Sequence, residues 1–297
     1  MRDVLLVGRF EILRALRTWR ALALLVLVSV AMGGGAYLFT RFVHLLENEL
    51  AGQLGVARTE VPGAMLGELV TSDTYRRLVL QMFEDPTVQD WLLGLHPSAL
   101  FFFGLSTLLV PFFAATASAE TLAIDVQSRA IRFEALRTSR LDLVLGRFLG
   151  QLGIMTVAVF VAALVALLVT LAAMVVADPV GLASDIAMFT LRSWAFGAPF
   201  VGLGIAASQL TASPAWARVL AVGAVLVTWQ LAALGPWMSG ELGVPWLGDL
   251  LLLGLPQTWL DDLWGPGGEW WVSLVVELAL AIVVAVAPLP LFARRNL

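Results

Sequence analysis

Glu120, Asp125, Arg129, Arg132, Glu134, Arg137, Arg140, Asp142 and Arg147 crowd into residues 120–147. Arginines interleaved with carboxylates supply neither a nucleophile nor a base that titrates near neutrality. Their chemistry is electrostatic: forked guanidinium–carboxylate pairs and charge-assisted hydrogen bonds to another surface. Two long uncharged runs flank the segment, Ser98–Ala119 and Phe148–Ala177. Each exceeds the roughly 20 apolar residues that cross a bilayer, and the charged segment cannot cross. It is therefore a handle on one membrane face, available to something soluble.

The rest of the chain offers little covalent chemistry. There is no cysteine, which excludes disulfides, thiolate catalysis and Cys-ligated metals. All eighteen basic residues are arginine. Without lysine there is no Walker A phosphate loop and no Schiff base, so any ATP must bind another chain. The two histidines, His44 and His96, lack a spaced Ser or Cys partner. With Met65 and Met82 they offer soft donors, but the spacing makes no motif. No catalytic residue and no metal ligand is expected. Glu277 differs, because a carboxylate inside an apolar run is costly and functional by default. Pairing with Arg192 is expected ahead of contact with a substrate.

The elements that position these residues are membrane helices. The chain has 297 residues, 60% hydrophobic and 13% charged, with mean hydropathy +0.89. A soluble domain carries about 25% charged residues. The fold class is therefore all-α integral membrane, in a single transmembrane domain covering residues 1–297. Apolar runs, uncharged but for Glu277 in the last, place six spans: Ala21–Thr40, Ser98–Ala119, Phe148–Ala177, Ser193–Ala217, Val219–Gly240 and Trp270–Phe292. The turn at Thr211–Pro214 makes the fourth and fifth a helical hairpin. With the N-terminus inside, the inner segments carry 13 arginines and the outer ones 5. Both termini are thus expected in the cytoplasm. The first apolar run is too long for a cleaved leader and reads as a retained span.

Residues 1–20 form a basic, moderately amphipathic helix, with Leu5, Ile12, Leu16 and Trp19 on one side and Glu11, Arg14 and Thr18 opposite. Such a helix lies in the headgroup plane, in contact with membrane lipids. Residues 41–97 form an acidic outer cap with helices at Arg41–Leu54 and near Gly63–Phe83. Residues 241–269 hold two short apolar segments, Val244–Leu255 and Gln257–Trp264, broken by Pro and Gly and read as re-entrant. In the charged segment, residues 120–127 prolong the second span. Residues 128–137 form a short amphipathic helix. Ser139 caps the third span through a box with Asp142.

The order of these features carries a resemblance. It consists of Glu120, then Arg129-Ala130-Ile131-Arg132-Phe133-Glu134-Ala135-Leu136, Ser139-Arg140 and Leu143-Val144-Leu145-Gly146-Arg147-Phe148-Leu149-Gly150. This is similar to the permease subunits of type-2 ABC exporters, including the membrane subunit of the nitrous-oxide reductase maturation transporter. The family usually has Gly-Thr where Arg129-Ala130 stands, and a proline where Arg137 stands. The resemblance implies a coupling helix over residues 120–137 that inserts into an ABC ATPase subunit. Glu120, Arg129, Arg132, Phe133, Glu134, Leu136, Arg137 and Arg140 would form the contact. It also implies a second permease copy, ATP and Mg on the ATPase alone, no cofactor in this chain, and a bacterial inner membrane. No nucleic-acid partner is expected. The alternatives are a mechanotransmission subunit driving an outer-face partner through residues 41–97, an ion-coupled transporter using Glu277, and a membrane scaffold.

Overall fold

The computed structural model describes residues 2–82, 85–241, 246, 252–268 and 270–294. Every regular element among them is helical. Helix α1 (Arg2–Arg17) leads into α2 (Arg20–Leu54) through Trp19, which takes a left-handed backbone conformation (φ 60°) and redirects the chain. Then come α3 (Leu66–Thr71), α4 (Asp73–Met82), α5 (Pro86–Leu93), α6 (Pro97–Ser118), α7 (Thr121–Gln127) and α8 (Ile131–Ala135). The rest are α9 (Arg140–Ala173), α10 (Pro179–Leu210), α11 (Pro214–Glu241), a 3-10 turn (Pro256–Trp259), α12 (Leu260–Trp264), α13 (Trp270–Val286) and α14 (Leu289–Ala293). Six helical stretches among the described residues are long and apolar enough to span a membrane. They contain α2, α6, α9, α10, α11 and α13, and α10 is the most buried.

The third spanning helix runs Arg140–Ala173 where Phe148–Ala177 was expected, the sixth stops at Val286, and two further spans differ more. The chain does not break after Thr40; α2 runs on to Leu54 without a helix breaker. Its 35 residues make a rod of roughly 50 Å at 1.5 Å per residue, longer than the roughly 30 Å hydrocarbon core. It stops at Gly55, whose φ of 68° allows the Val56 N–H to reach the Ala51 carbonyl. The fourth span begins at Pro179, not Ser193, because Asp178 caps it and the helix carries Asp185 and Arg192 inward. The cap over residues 41–97 is tied to the α2 rod. Glu47, fully buried, accepts the backbone N–H groups of Gly63 and Met65, each at 2.9 Å. The expected helix near Gly63–Phe83 is two helices, parted at Ser72, whose backbone is extended. The apolar segment Val244–Leu255 lies largely outside the described residues.

His96 caps α6, with Nδ1 accepting from the Ser98 N–H at 3.2 Å. Burial holds its pKa below the usual 6.5. The folded state thus favours the neutral ring more than the unfolded state does. Its contribution to stability is complete above pH 6.5 and is lost as pH falls from there toward the depressed folded value. The thermal midpoint is expected to fall between pH 6.5 and pH 5.5, and His96→Asn, which also caps, is expected to flatten that slope. Differential scanning fluorimetry across that range reads both.

Candidate functional site

The charged elbow folds as a cradle on one membrane face. Both chain ends gather there: α1 packs along the start of α9, and Arg140 donates to the carbonyls of Phe292 and Ala293 in α14. The first contact depends on small residues. Gly146 and Gly150 of α9 form a Gly-x-x-x-Gly seam that admits the α1 backbone. A Cβ on Gly146 would lie 2.8 Å from the Val4 carbonyl, and one on Gly150 would lie 3.0 Å from the Gly8 carbonyl. Backbones this close place Glu11 of α1 against Arg147 of α9.

Arg147 is fully buried and is the hub of the site. Nη1 donates to Glu11. Nη2 reaches Asp125 of α7 at 2.6 Å and both Glu134 oxygens of α8 at 2.9 and 3.0 Å. Arg14 closes the ring on Asp125 at 2.8 Å, and Gln151 donates to Glu11 at 2.9 Å. Two guanidinium groups therefore face three carboxylates. One residue connects α1, α7, α8 and α9. A buried ion cluster of this kind survives only because each charge is paired and hydrogen-bonded.

The sequence motif singled out Glu134 but did not reveal this hub. Its members are 111 to 140 residues apart for the α1 pairs, which no local periodicity reports. The available signal was Gly-Arg-x-x-Gly at 146–150 together with a mid-helix acid, Glu11, on a basic helix.

The eight motif residues divide into two groups. Glu134 turns inward to Arg147, Arg140 holds the C-terminal helix, and Glu120 pairs with Arg218 at the start of α11. Arg129, Arg132, Phe133, Leu136 and Arg137 face outward. Phe133 is 73% exposed and Leu136 84% exposed. The box at Ser139 forms as expected: its hydroxyl accepts from the Asp142 N–H at 3.0 Å and donates to that carboxylate at 2.6 Å.

Arg129 has φ 62°, in the left-handed region that favours glycine. Arg129→Gly is expected to stabilise the elbow by about 1 kcal/mol. A thermal midpoint that stays level or drops contradicts this.

Glu277 and Arg192 do not pair. Arg192 Nη1 donates to the Leu263 and Gly265 carbonyls at 2.7 and 3.0 Å, and the guanidinium sits over the rings of Trp91, Phe189 and Trp270. It braces the α12 turn. Glu277 is fully buried in α13, and neither carboxylate oxygen has a hydrogen-bond partner among the described residues. The expected ion pair is thus corrected: loop carbonyls hold Arg192 Nη1 and aromatic faces surround its guanidinium, away from Glu277. Among the described residues no group of three His, Asp or Glu gathers to hold a metal.

Six membrane-capable helices and a charged elbow braced by Arg147 make this a polytopic membrane protein. The family model "ABC-2 family transporter protein" matches residues 7–297, so the chain belongs to the ABC-2 transporter family. It is the membrane permease subunit of an ABC transporter, not the catalytic ATPase, and this family works with an ABC ATPase subunit. No curated protein matches the chain.

Proposed function

We propose that this chain is the permease of an ATP-driven exporter in a bacterial inner membrane, with both termini cytoplasmic and two copies forming the working unit. Arginines favour the face that carries α1, the elbow and α14, which supports a cytoplasmic side for that face. The observation that carries the reading is the two-sidedness of α8. One side presents Phe133 and Leu136 among three exposed arginines. The other side is bonded through Glu134 to Arg147.

The exposed side suits a cleft in an ATPase subunit, where apolar anchors are ringed by charges. Closure of the ATPase pair on ATP displaces α8. Glu134 passes that displacement to Arg147, and Arg147 passes it to α9 and, through Glu11, to α1. The second and third spans then tilt together, because α7 and α9 flank the elbow. The apolar side of α1 is exposed at Leu5, Ile12 and Leu16, as is Trp19 just after it, while Glu11 is buried. That polarity suits a helix lying on lipid and sliding with the elbow.

A second reading has its own support. The α2 rod continues unbroken into the outer cap and is clamped there by Glu47. Such a lever suits mechanotransmission to an outer-face partner. The test is reconstitution of the chain with its ATPase in vesicles. Nucleotide-dependent movement of substrate supports the exporter. ATP hydrolysis with no movement, but with nucleotide-dependent protection of residues 41–97, supports the lever. Movement that follows a proton gradient without ATPase, and is abolished by Glu277→Gln, overturns both.

A further inference from the structure

A row of internal spaces follows α2 through the bundle. At the cytoplasmic end a cavity of about 390 Å³ opens at Thr18 and Arg218, both exposed. Its mouth is polar and charge-balanced, with Arg14 and Arg218 beside Glu11 and Glu120. Its depth is apolar, with Leu24, Leu27 and Ile154. At the outer end a second cavity, of about 380 Å³, is lined by Phe39, Val79, Leu100, Leu108 and Trp264.

Two voids of about 20 and 10 Å³ lie between them. The first shares Leu24, Ala117 and Gln151 with the inner cavity, and the second shares Phe39, Phe101 and Leu105 with the outer one. The voids are only about water-sized, too small for an acyl chain. The narrowing lies where α2 carries Gly33-Gly34-Gly35. A Cβ at Gly33 would lie 2.8 Å from Val165 of α9, and one at Gly35 would collide with Leu105 of α6. Gly34 faces open space. Consecutive glycines are where a helix bends most cheaply.

We infer that the inner cavity binds a zwitterionic amphiphile from the adjoining leaflet, and that the Gly33–Gly35 segment of α2 is the gate between this cavity and the outer one. This rests on the permease reading and names its substrate class. The charges at the mouth are already offset, Arg218 against Glu120 and Arg14 and Glu11 within the Arg147 cluster, so the mouth adds no net positive charge and favours a head with no net charge over an anionic one. The apolar depth takes the first part of the tail. Bending at the three glycines parts α2 from α6 and α9 and joins the two cavities.

The test has two arms. Native mass spectrometry of the purified full chain reads retention of phosphatidylethanolamine against phosphatidylglycerol. At least tenfold preference for the zwitterion is expected. Ala117→Trp, which fills the cavity, is expected to abolish retention, and Glu120→Gln, which leaves Arg218 uncompensated and the mouth more positive, to remove the preference. Equal retention of both lipids, or retention unchanged in Ala117→Trp and preference unchanged in Glu120→Gln, overturns the inference.

The second arm uses the reconstituted complex and a short-chain fluorescent phosphatidylethanolamine. Gly34→Ala introduces no clash, so it tests bending alone. It is expected to keep lipid retention and ATP hydrolysis while slowing transfer at least tenfold; transfer at the original rate overturns the gate. The first arm needs no ATPase. Failure to bind lipid while the ATPase assembles and hydrolyses ATP sinks only this inference, whereas failure of the ATPase to assemble sinks the permease reading.

Discussion

Arg147→Met is expected to destabilise the protein by about 3–5 kcal/mol, the largest effect of any single change. Methionine keeps much of the volume but strands Glu11, Asp125 and Glu134 in a buried site with Arg14 as the only remaining cation of the cluster. At roughly 2–4 °C per kcal/mol, the thermal midpoint falls by about 6–20 °C. Arg147→Lys keeps the charge but not the fork, and one ammonium cannot serve three carboxylates in this geometry, so most of the loss persists. Adding Glu11→Gln, Asp125→Asn and Glu134→Gln to Arg147→Met removes the stranded charges and is expected to recover most of the stability. Thermal melts in detergent read the series. The recovered variant is expected to bind ATPase but transmit nothing, because the link from α8 to α1 and α9 is gone. A melt within 1 °C of the parent for Arg147→Met contradicts the hub.

Phe133→Asp is expected to weaken ATPase binding by about 2–4 kcal/mol, or roughly 30- to 1,000-fold, without touching the fold. Phe133 is 73% exposed and makes no hydrogen bond that the bundle needs. A charge there leaves the permease melt within about 0.5 kcal/mol of the parent. In a partner cleft, however, it strands a carboxylate in an apolar pocket. Arg132→Glu adds repulsion to any acidic rim and is expected to act in the same direction. Copurification followed by titration of the ATPase onto immobilised permease measures both. The pairing of the two predictions is diagnostic: Arg147 is a fold-and-transmission residue, whereas Phe133 is a contact residue.

The sequence made legible what depends on neighbours along the chain. Apolar runs longer than a bilayer found the spans, and Ser139 with Asp142 found the start of α9. The charge density at 120–147 found the elbow. What escaped depends on distant packing. Which way Glu134 points is decided by Arg147, and which side of α1 is buried is decided by the Gly146–Gly150 seam. A basic helix with an apolar stripe suggested lipid contact, and the stripe is exposed; the buried acid on its far side had no local signature. The span limits missed where a charge lies inside a helix, as at Asp185 and Arg192, because the runs were drawn to exclude charge. Glu277 and Arg192 looked like partners by sign and depth. Aromatic faces and loop carbonyls, invisible to a charge count, had already claimed the arginine.

The absence of cysteine makes the central claim directly measurable. Single cysteines at Leu136→Cys, directly after α8, and Arg58→Cys in the outer cap are placed one at a time in the otherwise cysteine-free chain, and the chain is assembled with its ATPase. The account predicts that Leu136→Cys crosslinks to the ATPase subunit in a nucleotide-dependent manner and resists an impermeant maleimide in intact cells, while Arg58→Cys does the reverse. Labelling of Leu136→Cys from outside the cell, or no crosslink to the ATPase in any nucleotide state, would contradict it.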